Sequence, residues 1–310
     1  MKILLFGKRG QMGKGLCRLL APLGALTALD RDSAKFPADF ERPHELAASL
    51  RALRPDVIVN AAAYTAVDRA ENEPERAALL NVVAPRVLAQ EAAVIGAWLV
   101  HYSSDYVFDG SGCHARDESA ATAPLNVYGR TKLEGEEHIR ASGCKHLILR
   151  TSWVHSAHGE NFIRTVLRLA TERKSLQVVD DQIGAPTDAD LLAQITTHAI
   201  RAVMCEPSLG GTYHAVAAGE TSRFECARLA IDLARQRGLP VRVAPESIEA
   251  VATAARTAVA QRPLNSRLAT GKLRGAFGLA LPTWQAGVER TVAGLVAADE
   301  QRAAACEPVH

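Results

Sequence analysis

The chain has 310 residues, 48% hydrophobic and 23% charged, with a net charge of +2; that length exceeds what one hydrophobic core usually serves and points to one large domain with a smaller attachment. The mild charge and the scattered lysines and arginines argue against a nucleic-acid partner, and with only four apolar residues before Gly7 and no later run of 18, neither a signal peptide nor a membrane partner is expected. Six cysteines, at 17, 113, 144, 205, 226 and 306, form no C-x-x-C, which leaves a zinc site or disulfide framework without support and fits reduced thiols in the cytoplasm.

Lys2 to Phe6 is a short β-prone run that ends at Gly7-Lys8-Arg9-Gly10-Gln11-Met12-Gly13 and precedes a helical pattern of Leu16, Leu19, Leu20 and Leu23. Strand, glycine turn and helix in that order make a dinucleotide-binding opening, in which glycine lets the backbone approach a pyrophosphate and the helix N-terminus offers it amide donors. The spacing is G-x-x-G-x-x-G rather than G-x-G-x-x-G, so a plain structural turn stays open. Ala25 to Leu29 reads as a second strand ending on Asp30, where a carboxylate would hold the adenosine ribose; Arg31 beside it suits a 2′-phosphate, and NAD and NADP both remain open. Leu46, Leu50 and Leu53 mark a crossover helix, and Val57-Ile58-Val59-Asn60 is an apolar strand of the kind buried in a parallel sheet. The small residues after it, Ala61 to Ala63, leave room for a cofactor or for tight helix packing. A helix from about 74 to 95 leads to the strand Trp98 to Tyr102, which runs into Ser103-Ser104-Asp105. This alternation means an α/β fold, a doubly wound parallel sheet of Rossmann type, whose ligands bind at the C-terminal strand ends where Ser104 stands.

Asn126, just after Pro124, is a good N-cap, and the helix it starts places Tyr128 and Lys132 on one face. A free tyrosine titrates near pH 10, and a lysine cation beside it favours the phenolate; Tyr128 therefore reads as a general acid or base, although such pairs also occur on plain surface helices. Leu147 to Thr151 is a strand, helices are expected at 161–173, 188–204 and 222–237, and Gly238 to Val243 is expected as an edge strand of a smaller domain. Trp153 offers an indole to cover a sugar or base, or else a core residue. Arg262 and Arg267 flank a Pro-Leu-Asn-Ser turn and supply the cations a nucleotide diphosphate needs, unless the loop is a plain surface one. Gly211 to Val216 looks like a return to the main sheet. The expected division is a dinucleotide-binding domain at 1–152, with returns at about 176–182 and 211–218, a mainly substrate-binding domain at 153–298, and a frayed tail at 299–310. With no G-x-S-x-G elbow and no H-E-x-x-H or H-x-H among ten histidines, hydrolase and zinc mechanisms have little support.

The set Gly7-x-x-Gly10-x-x-Gly13, Asn60-Ala61-Ala62-Ala63, Ser103 to Gly110, Tyr128-x-x-x-Lys132 and Arg150-Thr151-Ser152-Trp153-Val154 resembles the extended short-chain dehydrogenase/reductases and, more narrowly, the dTDP-4-dehydrorhamnose reductase family. The likeness continues through Asp181 to Thr187 and Arg262 to Leu268 as far as Trp284. It implies reduction by NADPH or NADH of the C4 keto group of a 4-keto-6-deoxy sugar on thymidine diphosphate, the last step of dTDP-L-rhamnose synthesis. Tyr128 would give the proton, Ser104 would hydrogen-bond the same oxygen, and Lys132 would lower the tyrosine's pKa and hold the nicotinamide ribose. The implied cofactor contacts are Gly7, Gly10, Gln11, Met12, Gly13, Asp30, Arg31, Asp39, Phe40, Ala62, Ala63, Tyr64 and Tyr102, with Tyr128 and Lys132. The implied substrate contacts are Ser104, Asp105, Tyr128, Trp153, Arg262 and Arg267.

Two departures stand out. Ser104 replaces the family's usual threonine and keeps the hydroxyl. Gly15 stands where some members carry a glutamate that ligates magnesium at a dimer interface, so no metal ligand is assigned, magnesium is doubtful, and a homodimer is left open. A related dehydratase would need an Asp-Glu pair after residue 104, whereas here Asp105 is followed by Tyr106. The rival readings are a dinucleotide-binding regulatory subunit resembling that of methionine adenosyltransferase and a reductase of a sister sugar.

Overall fold

Short buried strands alternate with one-sided helices through the first half of the chain. In the computed structural model, which describes residues 1–306 and side chains through 298, these are β1 (Lys2–Phe6), α1 (Gln11–Leu20), β2 (Ala25–Leu29), α2 (Pro43–Leu53), β3 (Val57–Asn60), α3 (Val67–Asn72), α4 (Pro74–Ala78), a π-helical turn (Leu79–Val83), α5 (Ala84–Ile95), β4 (Trp98–Ser104), α6 (Val127–Ala141) and β5 (Lys145–Thr151). The second half adds β6 (Val154–His155), α7 (Phe162–Glu172), β7 (Leu176–Val179), β8 (Ile183–Gly184), β9 (Thr187–Asp188), α8 (Ala189–Cys205), β10 (Gly211–His214), β11 (Thr221–Ser222), α9 (Arg223–Gln236), β12 (Ile248–Val251), β13 (Asn265–Ser266), α10 (Gly271–Phe277) and α11 (Trp284–Cys306).

Six strands form one parallel sheet in the order β10-β5-β4-β3-β1-β2. Strand order reverses between β1 and β3, which opens a crevice at their C-terminal ends. One face of the sheet is covered by α1 and α8, and its core runs on without a break into α7, α9 and α11. The other face packs on α2, α5 and α6. Residues Pro74–Ile95 are long and apolar enough to cross a membrane by length and composition, but α5 lies between α2 and α6 in this second core, as an apolar helix of a globular fold does.

Three expectations need correction. Residues 176–182 do not rejoin the main sheet: β7 pairs with β12 in a two-stranded sheet of its own, because the edge beyond β5 is taken by β10. Gly238 to Val243 is not a strand. Gly238 has a positive φ, Pro240 has no N–H to give a ladder, and the amides of Arg242 and Val243 both turn to the Ala170 carbonyl. The tail expected to fray from 299 continues α11 to Cys306; residues 307–310 lie outside the described part.

Candidate functional site

The ends of β1, β3 and β4 converge on a groove of about 530 Å³. β1 ends at Gly7, whose φ of +88° favours glycine, and a Cβ there would come 2.8 Å from the Ala61 carbonyl carbon. Backbone therefore faces backbone across the mouth. α1 begins at Gly10 with no side-chain cap, so its first amides are free to meet an anion. This cradle fits the pyrophosphate of a dinucleotide.

Gly7, Gly10, Gln11, Met12, Asp30, Arg31, Asp39, Phe40, Ala62, Ala63, Tyr102, Tyr128 and Lys132 all line the groove. Two expected contacts do not. Gly13 is packed under the turn, where a Cβ would lie 2.2 Å from the Lys8 carbonyl oxygen. Tyr64 is buried against Ala70 and Ala77, and its hydroxyl donates to Glu73 at 2.9 Å. Sequence reasoning missed Arg9, whose guanidinium pairs with Asp30 at 2.7 Å and Asp32 at 2.6 Å. It also missed Ser103, next to last in β4, and Thr151, which ends β5 opposite Ser104; both were open to the same strand-end argument. Glu160 arrives from a loop with no sequence signature.

The start of α6 is fixed from two sides. Asn126 accepts from the Gly129 amide at 2.8 Å and donates through Nδ2 to the Gln261 carbonyl at 2.7 Å. A Cβ at Gly129 would lie 2.2 Å from the Tyr106 carbonyl oxygen, so only a bare backbone lets the helix rest on the turn after β4. Tyr128 thereby lies close enough to Ser104 for that hydroxyl to act on the phenol, and its ring meets the Tyr106 ring edge-on at 5.6 Å. Ser104 Oγ accepts from the Tyr106 amide at 3.1 Å and donates to Asp105 Oδ1 at 2.9 Å. Asp105, expected to touch substrate, is 2% exposed and acts on Ser104 from beneath; burial pushes its carboxyl up to about 6, against hydrogen bonding and the nearby Arg223.

Burial raises the Tyr128 phenol, with Ser104 opposing, and Lys132 is not among the groups acting on it. The Lys132 Nζ is drawn away to the end of β4, donating to the Tyr102 carbonyl at 2.6 Å and lying 3.1 Å from His101 Nε2. Burial brings Lys132 down to about 8, against the pull of Glu136. Glu136 would itself be pushed up by burial, but Arg150, Ser103 and Arg140 hold it below the usual range.

A second cavity has a volume of about 790 Å³, and two of its arginines, Arg223 and Arg262, are near enough to act on Tyr106. Arg223, Arg256 and Arg262 line the cavity, with Asp68 as the one carboxylate. Arg262 donates to Asp68 at 2.6 Å and lies close to Tyr106. Arg267 is elsewhere, bound to Glu220 at 2.8 Å. The intervening residues do not form a tight turn, since Asn265 and Ser266 are the strand β13 paired with β8, and the extended chain carries Arg267 away. Arg223, which opens α9, was missed; its guanidinium lies 3.8 Å from the centre of the Trp153 ring, and it has no carboxylate in ion-pair distance among the described residues. Trp153 lines neither cavity. It adopts φ +50°, an uncommon conformation for a bulky residue, and its ring lies between Arg223 and Gly184, where a Cβ would be 3.0 Å from the indole.

The position where magnesium would be expected does not suit it. Gly15 faces Asp190 so closely that a Cβ would lie 2.7 Å from its Oδ1, and Asp190 is paired with Arg18 at 3.2 Å. Lys14, Arg18 and Arg290 surround the two carboxylates there, and Asp188 is bound to Arg290. Hard divalent cations need several free oxygens; here the carboxylates are already answered by cations.

The profile of the family described as RmlD substrate binding domain matches residues 1–296. The dTDP-4-dehydrorhamnose reductase of Escherichia coli (strain K12) is 51% identical over 290 residues, covering 94% of this chain and 96% of the relative. That of Salmonella typhimurium is 52% identical with the same coverage. The crystal structure of dTDP-4-dehydrorhamnose reductase from Bacillus anthracis in complex with NADP superimposes with a TM-score of 0.82 at 33% identity, covering 94% of this chain and 98% of that one.

Proposed function

Because the chain belongs to the dTDP-4-dehydrorhamnose reductase family, we infer that it reduces the C4 keto group of dTDP-4-dehydro-β-L-rhamnose with NADPH or NADH. The product is dTDP-β-L-rhamnose, and the reaction is the last step of dTDP-L-rhamnose synthesis. The observation that carries this reading is the Tyr128 phenol on the wall of the groove, close enough to Ser104 for that hydroxyl to act on it, together with a second cavity lined by three arginines.

The groove residues from Gly7 to Lys132 would hold the cofactor, which supplies a hydride when bound. Tyr128 gives its proton to the C4 oxygen as negative charge develops there, and Ser104 steadies the same oxygen by hydrogen bonding. Lys132, with one N–H directed at the Tyr102 carbonyl, keeps the others for a ribose hydroxyl. Arg262 and Arg223 answer the diphosphate, since guanidinium pairs well with phosphate oxygens. Residues 153–298 serve mainly the sugar nucleotide, and the enzyme works in the cytoplasm on a soluble substrate.

NADPH oxidation with freshly made dTDP-4-dehydro-L-rhamnose, followed by NMR of the C4 configuration, tests the reading. Turnover to the rhamno product is expected. Cofactor binding without turnover would instead favour a regulatory dinucleotide-binding protein, and a different C4 configuration a sister-sugar reductase.

A further inference from the structure

Beneath the groove a buried chain of hydrogen bonds links Ala62, Asn60, His101 and Lys132, and its direction can be read from one end. The Ala62 amide donates to Asn60 Oδ1 at 3.1 Å. A backbone N–H cannot accept, so this contact fixes which end of the Asn60 side chain is oxygen. Asn60 Nδ2 therefore donates to His101 Nδ1, 3.0 Å away. Burial holds His101 well below its ordinary pKa; the ring is neutral, and with Nδ1 accepting, its one proton sits on Nε2. That N–H points at Lys132 Nζ, 3.1 Å distant. An ammonium has three donors and no lone pair. Opposite an N–H it would meet only repulsion, whereas an amine accepts.

We propose that Lys132 is an uncharged amine in the cofactor-free enzyme at mildly alkaline pH, that Asn60 and His101 are positioning residues which set this state, and that cofactor binding there draws a proton from solvent onto Lys132. Charging Lys132 requires His101 to present Nε2 as an acceptor and move its proton to Nδ1. Asn60 must then flip to accept from Nδ1, which breaks its bond to Ala62 on the groove wall. The other groups facing Lys132 do not reverse this. Tyr102 of β4 offers a carbonyl that an amine satisfies as well. Glu136, one turn along α6, favours the charged form, but Arg150 of β5 and Arg140 already occupy its carboxylate at 2.7 and 2.9 Å. Tyr128, one turn earlier, is a neutral phenol held high by burial. The lowering of Lys132 to about 8 by burial agrees with the hydrogen-bond direction. A ribose hydroxyl accepting from Nζ favours the ammonium and raises that value, so binding takes up protons.

The coupling rests on the assignment of Lys132 to the cofactor site, but the resting state is tested without cofactor or turnover. Long-range proton–nitrogen spectra of the free enzyme at pH 9, above the Lys132 midpoint, should show His101 as the Nε2–H tautomer. Lysine Cε carbon shifts, with Lys132 identified by its loss in Lys132→Met, should show it titrating near pH 8, apart from the exposed lysines. In Asn60→Asp the carboxylate accepts from Ala62 and from His101 Nδ1 alike; the tautomer should switch to Nδ1–H and the Lys132 midpoint rise by about one unit or more. An Nδ1–H tautomer in the wild-type enzyme at pH 9, or Lys132 titrating with the other lysines, would overturn the proposal even if Asn60→Asp fails to fold. Calorimetry of NADPH binding at pH 8 to 9, in buffers of different ionisation enthalpy, should register proton uptake. Binding with none removes the coupling, whereas absence of NADPH binding counts against the functional reading instead.

Discussion

Tyr128 keeps its proton in the resting enzyme because burial disfavours the phenolate, which suits the proton-giving role proposed for it. Tyr128→Phe keeps the ring and its edge contact with Tyr106 but removes the donor. Turnover should fall roughly 100- to 10,000-fold with little change in sugar-nucleotide KM; steady-state rates near the wild-type value would take Tyr128 out of the mechanism. The arginines divide differently. Arg262→Ala and Arg223→Ala should each raise KM for the sugar nucleotide about tenfold or more while NADPH affinity holds, since each loses a charge-assisted contact. Arg267→Ala, whose partner is Glu220, should leave KM within about a factor of two, as exposed ion pairs contribute little. A large KM effect confined to Arg267 would reverse that assignment.

Helix α6 carries Tyr128 and Lys132 and is clamped by a bidentate Arg150–Glu136 pair in which Glu136 is fully buried. Glu136→Gln leaves Arg150 buried without its counter-charge and should cost about 3–5 kcal/mol in urea unfolding; a loss below about 1 kcal/mol would mean water replaces the carboxylate easily. The buried histidines give a matching pH dependence. Burial lowers His155 to about 3 and His214 to about 4, from 6.5, so the unfolded chain binds more protons between those values, and stability is lost as pH falls below about 6.5. Glu136, held low, adds a loss of the same sign at lower pH. Asp105, raised to about 6, opposes them, its contribution fading as pH rises from 3.8. Melting temperature should therefore fall from pH 7 to pH 4.5, and a flat profile would contradict the sum. Much at this scale was legible in the sequence: the apolar runs of β1 to β5, the Asn126 cap and the Tyr128–Lys132 face follow from local pattern. The turn of Lys132 toward β4 was not, because helical spacing says which residues share a face and nothing of the carbonyl and imidazole that meet them. Arg223 and Arg267 were misjudged for a similar reason, since the two-residue strand β13 and the stacking on Trp153 exist only in tertiary structure.

For the molecule as a whole, the crowding of Gly15 against an Asp190 already paired to Arg18 predicts an assembly indifferent to metal. Sedimentation and NADPH turnover should be the same in EDTA as in millimolar magnesium; a dimer that dissociates on chelation and returns with the ion would show that other oxygens hold it. The sheet also binds the chain's two halves to each other. Its outer strand β10 is reached only after the excursion through α7 and α8, and a single apolar core joins Leu5 and Leu149 to Ile163, Leu192, Ile231 and Val288. A lobe spliced in from a relative would have to supply that strand and half of that core along with its own sugar pocket. New sugar preferences in this lineage are thus expected to arise by single substitutions around the second cavity, not by shuffling of gene segments.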